Sequence, residues 1–225
     1  MDNQAIKYEI IENIGIIKGT NPPVNALSYE VRKGLIDTLQ LFLKDNNIKG
    51  IILCGEGRTF FAGADISEFG KPMQSPNLND VIFEFENSNK PIVAALHGTP
   101  LGGGLELAMG CNYRVALSTT NLGLPEVKLG IIPGAGGTQR LPRLAGIEKA
   151  LSMITSGIPI NAEDALNSGI IEEVFADDLI ENAMNFIKTK LSLDNHPIVS
   201  TLSAKVSNIQ NEVFETFSNK MKKKI

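Results

Sequence analysis

The sequence predicts an α/β fold in which helices cover a largely parallel sheet. Three observations carry this expectation. Short continuous apolar runs, such as those in "KGIILCGEG" and "KPIVAALHG", have the length and the glycine boundaries of buried strands. Stretches with apolar residues at helical spacing alternate with them. No Pro/Ser-rich linker divides the chain before about residue 190. With 225 residues, 43% hydrophobic and 20% charged, the chain suffices for one sizeable core. Residues 1–190 are therefore expected to form one core domain, and residues 191–225 a connector and terminal helix.

The opening "IKYEIIENIGIIKG" reads as two short strands turning at "ENIG", an antiparallel start. "NPPVNALS" is a loop ending at Ser28, a good N-cap for the amphipathic "YEVRKGLIDTLQLFLKD". The buried strand "KGIILCGEG" leads into the loop "TFFAGADISEF", which closes in a short helical turn. "LNDVIFEFENS" reads as helix, "KPIVAALHG" as strand and "LGGGLELAMGC" as a short apolar helix, followed by strand "YRVALS". "GGTQRLPRLAGIEKALSMITSG" divides into two helical pieces, and "NAEDALNSG" carries an N-cap and a short helix before strand "IIEEVF". After the connector "LSLDNHPIVSTLS", a last helix over about 208–223 aligns Ile209, Val213, Phe217 and Met221 on one face. That stripe suits core packing and contact with another subunit or a missing domain equally, because periodicity does not separate them.

Composition removes several function classes. The formal net charge of −4 suggests no polyanionic partner, and the basic "KMKKK" near the end serves the helix dipole and solubility better than nucleic acid. No apolar run approaches the length of a membrane span. Cys54 and Cys111 lie in apolar contexts and read as buried free thiols of a reducing compartment. "MDNQAIKYEI" has no signal-peptide pattern, so a cytoplasmic location is expected, with peroxisome and mitochondrion left open. No Cys/His set has zinc spacing, and no metal is expected.

The glycine-rich motifs fail the common templates. "GTPLGGGLE" lacks the Lys and Ser/Thr of a P-loop, and "GAGGTQR" lacks dinucleotide spacing. No G-x-S-x-G elbow is present. His97, between an apolar strand and Gly98, reads as a satisfied structural histidine, and Asp65 as the cap of the turn that follows it.

Two loops survive as a constellation. "FAGADI" and "GGGLE" each follow a strand, and consecutive parallel strands end on the same side of a sheet. Gly103 stands where a helix begins, so its N–H lacks a helical partner and can face an anion. An N–H from "AGAD" would complete a two-donor oxyanion hole. Glycines that merely allow close helix–sheet packing are the competing explanation. Two carboxyls lie in apolar company, Glu106 in "GGGLELAMG" and Glu126 in "GLPEVKLG". Desolvation favours the neutral form of such a group and moves its pKa towards the range useful for proton transfer.

Read together, "NPPVNALS", "FFAGADI", "GGGLELAMGCNYRVA", "LPEVKLGIIPGAGGTQRLPRLAG" and "NAEDALNSGIIEEV" resemble the enoyl-CoA hydratase/isomerase (crotonase) family over about residues 6–190. "NPPVNALS" and "GLPEVKLGIIPGAGGTQRLPR" resemble most the amino-terminal domain of bifunctional fatty-acid oxidation enzymes, where a hydroxyacyl-CoA dehydrogenase follows. The resemblance implies a crotonase-like spiral of ββα units. It implies a homo-oligomer or a covalently following dehydrogenase domain, which this sequence does not contain. It places the oxyanion donors at Ala64 and Gly103 and the catalytic carboxyls at Glu106 and Glu126. The adenine and pantetheine of an acyl-CoA would run beside Ala62, Ala64, Asp65 and Ile66. The implied partner is an acyl-CoA thioester, with no cofactor, since coenzyme A is part of the substrate. The implied reaction is hydration of trans-2-enoyl-CoA to 3-hydroxyacyl-CoA in fatty-acid β-oxidation. Δ3,Δ2-enoyl-CoA isomerisation, alone or in addition, and a non-catalytic role are the alternatives. One departure is Thr99-Pro100 before the glycines, where the family has small or apolar residues and where proline removes an N–H.

Overall fold

The computed structural model describes residues 5–204. The expected terminal helix, with Ile209, Val213, Phe217 and Met221, lies outside the described residues. Strands β1 (Ile6–Ile11) and β2 (Ile14–Gly19) pair antiparallel through the turn at Glu12–Asn13. β3 (Gly50–Gly55), β4 (Ile92–Leu96), β5 (Tyr113–Leu117) and β8 (Glu173–Phe175) then add in parallel, giving the six-stranded order β1-β2-β3-β4-β5-β8.

A second, much smaller set of pairings follows β2, β3, β4 and β5. Leu27 bridges Ala64, Leu101 bridges Gly123, and β6 (Asn121–Leu122) pairs with β7 (Ile160–Asn161). β2, β3, β4 and β5 are thus each followed by a short extended piece and then a helix. After β2 comes Leu27 and α1 (Tyr29–Lys44); after β3, Ala64 and α2 (Leu78–Glu86). After β4 comes Leu101 and α3 (Gly103–Met109); after β5, β6 and α4 (Gly137–Ala145). This is the expected repetition of ββα units. It sets Ala64, Leu101 and Gly123 beside one another although their strands are far apart in sequence.

Alternation along the parallel strands builds two cores. Ile51, Leu53, Ile92, Ala94 and Leu96 face the larger one, beneath α1, α2 and α3. Ile52, Cys54, Val93, Ala95 and Val115 face the other, covered by Ala183, Met184, Phe186 and Ile187 of α7 (Leu179–Lys190). The sequence reading assigns no element to 179–190, and the structure corrects this. α7 follows Asp178, which is left-handed (φ 46°) and makes no side-chain cap bond, although Asp178 with Glu181 three residues on is a helix-start pattern. The strand expected at "IIEEVF" is also shorter. Ile170 and Ile171 are buried in the turn after α6 (Ala162–Asn167), and pairing begins only at Glu173.

Several local expectations rest on identifiable bonds. Ser28 caps α1, and Asn77 and Asp80 form a reciprocal capping box at α2. "GGTQRLPRLAGIEKALSMITSG" breaks at Gly146 into α4 and α5 (Ile147–Ser156). Cys54 and Cys111 are buried free thiols, their pKa values pushed up to about 12 by desolvation. His97 places Nε2 3.1 Å from the Gly57 carbonyl oxygen, the structural role its context predicts. Among the described residues no helix is long and apolar enough to cross a membrane.

Candidate active site

The loops leaving β3 and β4 meet, as their parallel order requires, beside a cavity of about 420 Å³. Ala62, Ala64, Ile66, Gly103, Glu106 and Glu126 all line it. Asp65 does not. Its carboxylate accepts the Ser67 N–H at 2.9 Å and caps the 3-10 turn Ile66–Glu68, facing an adjoining groove of about 930 Å³. That turn is held from α1: the Glu68 carboxylate accepts from the Tyr29 N–H at 2.7 Å and from the Arg32 guanidinium at 2.8 Å.

The three glycines that open α3 have different physical reasons. Gly102 adopts φ 51°, ψ −124°, a conformation L side chains avoid, and a Cβ there would lie 3.0 Å from Glu126 Oε1. Gly104 packs so closely on the Phe61 backbone that any Cβ would overlap the Phe61 carbonyl oxygen. Close helix–loop packing, the competing explanation for this motif, therefore accounts for Gly104. Gly103 differs from both. It is the first residue of α3, and its Cα is near enough to the β3 loop that a Cβ would lie 3.4 Å from the Ala64 nitrogen.

Ala64 is fixed from the other side. The Leu27 N–H donates to the Gly63 carbonyl at 2.8 Å, and the Ala62 N–H to the Val24 carbonyl at 3.2 Å. Neither the Ala64 N–H nor the Gly103 N–H donates to an acceptor among the described residues. Two neighbouring backbone donors at a cavity wall, unpaired in a protein where most such groups are paired, can take a developing negative charge. Thr99-Pro100 does not displace this arrangement: the Thr99 N–H is held by Thr59 Oγ1 at 2.8 Å, and the Pro100 carbonyl accepts from Gly123 at 3.3 Å.

The carboxyls sit on two further elements. Glu106, 2% exposed, lies in the first turn of α3, and its Oε1 accepts from the Gly137 N–H at 2.7 Å and the Ala135 N–H at 2.8 Å. Burial raises its pKa above the usual carboxylate value, against the lowering effect of those two amides and of the Arg140 charge. Glu126 opens the 3-10 turn Glu126–Leu129, and its buried Oε2 has no hydrogen-bond partner among the described residues. Desolvation, aided by the charge of Glu106, pushes its pKa up to about 7, opposed only by its own backbone N–H. One carboxyl is oriented by two donors and the other is poised to hold or release a proton near neutrality.

The sequence reading missed the loop that orients Glu106. "GAGGTQR" enters it only as a failed dinucleotide template and as part of a family motif. The available signal was a bookkeeping one: a buried carboxylate needs donors, and a tight glycine run supplies bare amides. Among the described residues no group of three His, Cys, Asp or Glu side chains is arranged to hold a metal.

Comparison with known proteins identifies the family. The family model described as enoyl-CoA hydratase/isomerase matches residues 9–222. The chain is 46% identical over 181 residues to the peroxisomal bifunctional enzyme of Danio rerio, a match covering 80% of this chain and 25% of that protein. It is 45% identical over 174 residues to a probable enoyl-CoA hydratase of Bacillus subtilis, covering 74% of this chain and 67% of the relative. The chain thus spans about a quarter of the length of the bifunctional relatives it matches. Among solved structures, an enoyl-CoA hydratase from Bacillus anthracis superposes with a TM-score of 0.78 at 31% identity, covering 98% of this chain and 90% of that one.

Proposed function

The chain belongs to the enoyl-CoA hydratase/isomerase family, and from that premise we propose that it hydrates trans-2-enoyl-CoA thioesters to 3-hydroxyacyl-CoA in fatty-acid β-oxidation. One observation supports this most: Glu106 and Glu126 line the same cavity as Ala64 and Gly103, whose N–H groups have no acceptor among the described residues. Water attack at C3 of the enoyl group drives electrons onto the thioester oxygen. The Ala64 and Gly103 amides bind that oxyanion more tightly than the neutral carbonyl. One such donor typically lowers the barrier by about 3–4 kcal/mol.

Glu106, its Oε1 held by two amides, aligns and deprotonates the attacking water. Glu126, neutral below about pH 7, delivers the proton to C2. The acyl chain lies along apolar Ile66, Leu129 and Ile132 at the cavity, and the nucleotide end of coenzyme A runs past Ala62 and Ala64 towards Asp65. Coenzyme A enters as part of the substrate, and the steps proposed here need no other cofactor.

Isomerisation of 3-enoyl-CoA is the second reading, favoured by one feature. A carboxyl titrating near 7 is suited to shuttle a proton between C4 and C2, and Glu126 alone would suffice. Incubating the protein with crotonyl-CoA and longer trans-2-enoyl-CoA esters tests the main reading through loss of the conjugated-thioester absorbance. Absence of turnover at every chain length would refute it. Assembly into homo-oligomers, or with a following dehydrogenase domain, is proposed on the motif resemblance alone.

A further inference from the structure

The groups in contact with Glu106 lead outward to a buried ion pair. Arg140 on α4 is 11% exposed at its side chain and Glu86, the last residue of α2, 8%. Their contact is a fork: Nη2 donates to Oε2 at 2.6 Å and Nε to Oε1 at 3.1 Å. The remaining arm of the guanidinium turns back, and Nη1 donates to the Ala135 carbonyl at 3.2 Å. Ala135 is therefore gripped at both ends, its carbonyl by Arg140 and its N–H by Glu106. Between Ala135 and Gly137 the chain turns through Gly136 in a left-handed conformation (φ 93°), with Arg140 Nη1 occupying the place a Cβ would need.

Glu86 is anchored in turn. Its Oε1 also accepts the Ser200 N–H at 3.0 Å, so α2, α4 and the 3-10 turn Val199–Thr201 converge on it. Burial raises the Glu86 pKa, but the bonds from Arg140 and Ser200 and the Arg140 charge outweigh it and leave the pKa below the usual carboxylate value. A desolvated ion pair is poor evidence of stabilisation, because apolar side chains of similar volume often do as well. Packing alone does not explain why this pair spends its third strong donor on the one loop that holds Glu106.

We propose that Arg140, oriented by Glu86, is a positioning residue that fixes the Ala135–Gly137 loop and thereby the orientation of the Glu106 carboxylate. The catalytic consequence rests on the hydratase reading; the positional one does not. The charged groups facing Glu106 are Arg140 on α4 and Glu126 on its 3-10 turn, with Glu86 of α2 behind Arg140. Removing the fork lets the loop move and misaligns the carboxylate.

The test compares Arg140→Lys and Glu86→Gln with the unaltered protein by steady-state hydration of crotonyl-CoA and by amide hydrogen exchange across residues 134–137. Lysine keeps the charge but, as a point donor, does not reproduce the planar fork. Expected in Arg140→Lys is a kcat lower by about tenfold to a hundredfold, the scale of a small misplacement of a reacting group. KM should stay within about twofold, and the Ala135 and Gly137 amides should exchange faster. Glu86→Gln, which keeps size and an acceptor, should move the same quantities less, and it carries the test if Arg140→Lys does not fold. In an active protein, an unchanged kcat in either folded variant overturns the proposal. Should the unaltered protein itself be inert towards enoyl thioesters, the hydratase reading falls, and unchanged exchange in the variants then overturns the positional role.

Discussion

The Gly137 N–H reaches Glu106 Oε1 at 2.7 Å, on the same oxygen that the Ala135 N–H reaches at 2.8 Å. Two donors on one oxygen fix the carboxylate plane and leave Oε2 as the atom able to meet a water. They also favour the charged form, which a general base requires, at a position whose burial disfavours it. A Cβ at Gly137 would lie 3.0 Å from that Oε1 and equally close to Leu124 and Pro133, so the site has no slack. Gly137→Ala is therefore expected to lower kcat by about tenfold or more, through misorientation rather than lost binding. A folded Gly137→Ala protein with unaltered kcat would show that this contact has no catalytic consequence.

The pH dependence follows from the two carboxyls. The proposed hydration uses Glu106 ionised and Glu126 protonated. The Glu126 pKa is raised to about 7, so its neutral fraction is lost as the pH climbs through that value. The hydration rate should therefore fall on the alkaline side, with a limb near neutrality, while protonation of Glu106, whose pKa burial raises, sets the acid limb. Because each charge influences the other, the two limbs belong to the pair. Initial rates across about pH 5 to 9 check this. An activity that keeps rising to the alkaline end contradicts Glu126 as the acid.

The raised pKa of Glu126 also has a stability consequence of definite sign. Relative to the unfolded chain at 4.5, the folded protein binds the extra proton, so this contribution is present at low pH and is lost as the pH rises through about 7. Glu126→Gln removes the titration. Over that interval its thermal midpoint should decline less with pH than that of the unaltered protein, measured by circular dichroism. Parallel midpoint curves would show that Glu126 titrates normally in the fold.

The parts of this molecule that sequence discloses are those whose signal is local. Ser28 before "YEVRKGL" announces a helix because the cap and the periodicity sit within a few residues of each other. Glu106 and Glu126 stand out because a carboxyl among leucines and prolines is conspicuous without coordinates. What stayed hidden depends on contacts distant in the chain. The pairing of Glu86 with Arg140 spans 54 positions, and each reads alone as an ordinary surface charge on an amphipathic helix. Asp65 illustrates a finer limit. Its capping role is local and legible, but whether it faces the cavity or the groove beside it depends on how the 3-10 turn leans on α1. α7 was legible: Asp178 with Glu181 three residues on precedes an apolar face of Ala183, Met184, Phe186 and Ile187, a local pattern that the reading passed over.

Gly104→Ala separates fold from chemistry. Its methyl group would be driven into the Phe61 carbonyl oxygen, and backbone on both sides of the contact has no rotamer with which to yield. Overpacking in a core costs about 1–3 kcal/mol where side chains can move, so this substitution is expected to cost at least the upper end. The measurement is the urea midpoint. A near-normal midpoint would mean that α3 shifts readily, and that the Gly103 donor beside it is less rigidly placed than the geometry indicates.

The last prediction divides the carboxyls by role. Hydration demands one group for the water and one for the C2 proton, whereas double-bond isomerisation demands only a proton carrier. Glu126→Gln should therefore depress both reactions, and Glu106→Gln should depress hydration far more than isomerisation of a 3-enoyl-CoA. Glutamine keeps the length and an acceptor oxygen but does not exchange a proton as a carboxyl does, so packing is nearly constant. At position 106 that oxygen can still accept from Ala135 and Gly137, which guards the loop against collapse. Loss of one proton-transfer role costs typically about 10²–10⁴ in rate, well above assay scatter. Both activities are measured on both folded variants. If Glu106→Gln hydrates normally while Glu126→Gln loses only isomerisation, the assignment of water to Glu106 and proton to Glu126 is wrong, and the cavity carries out a one-carboxyl reaction.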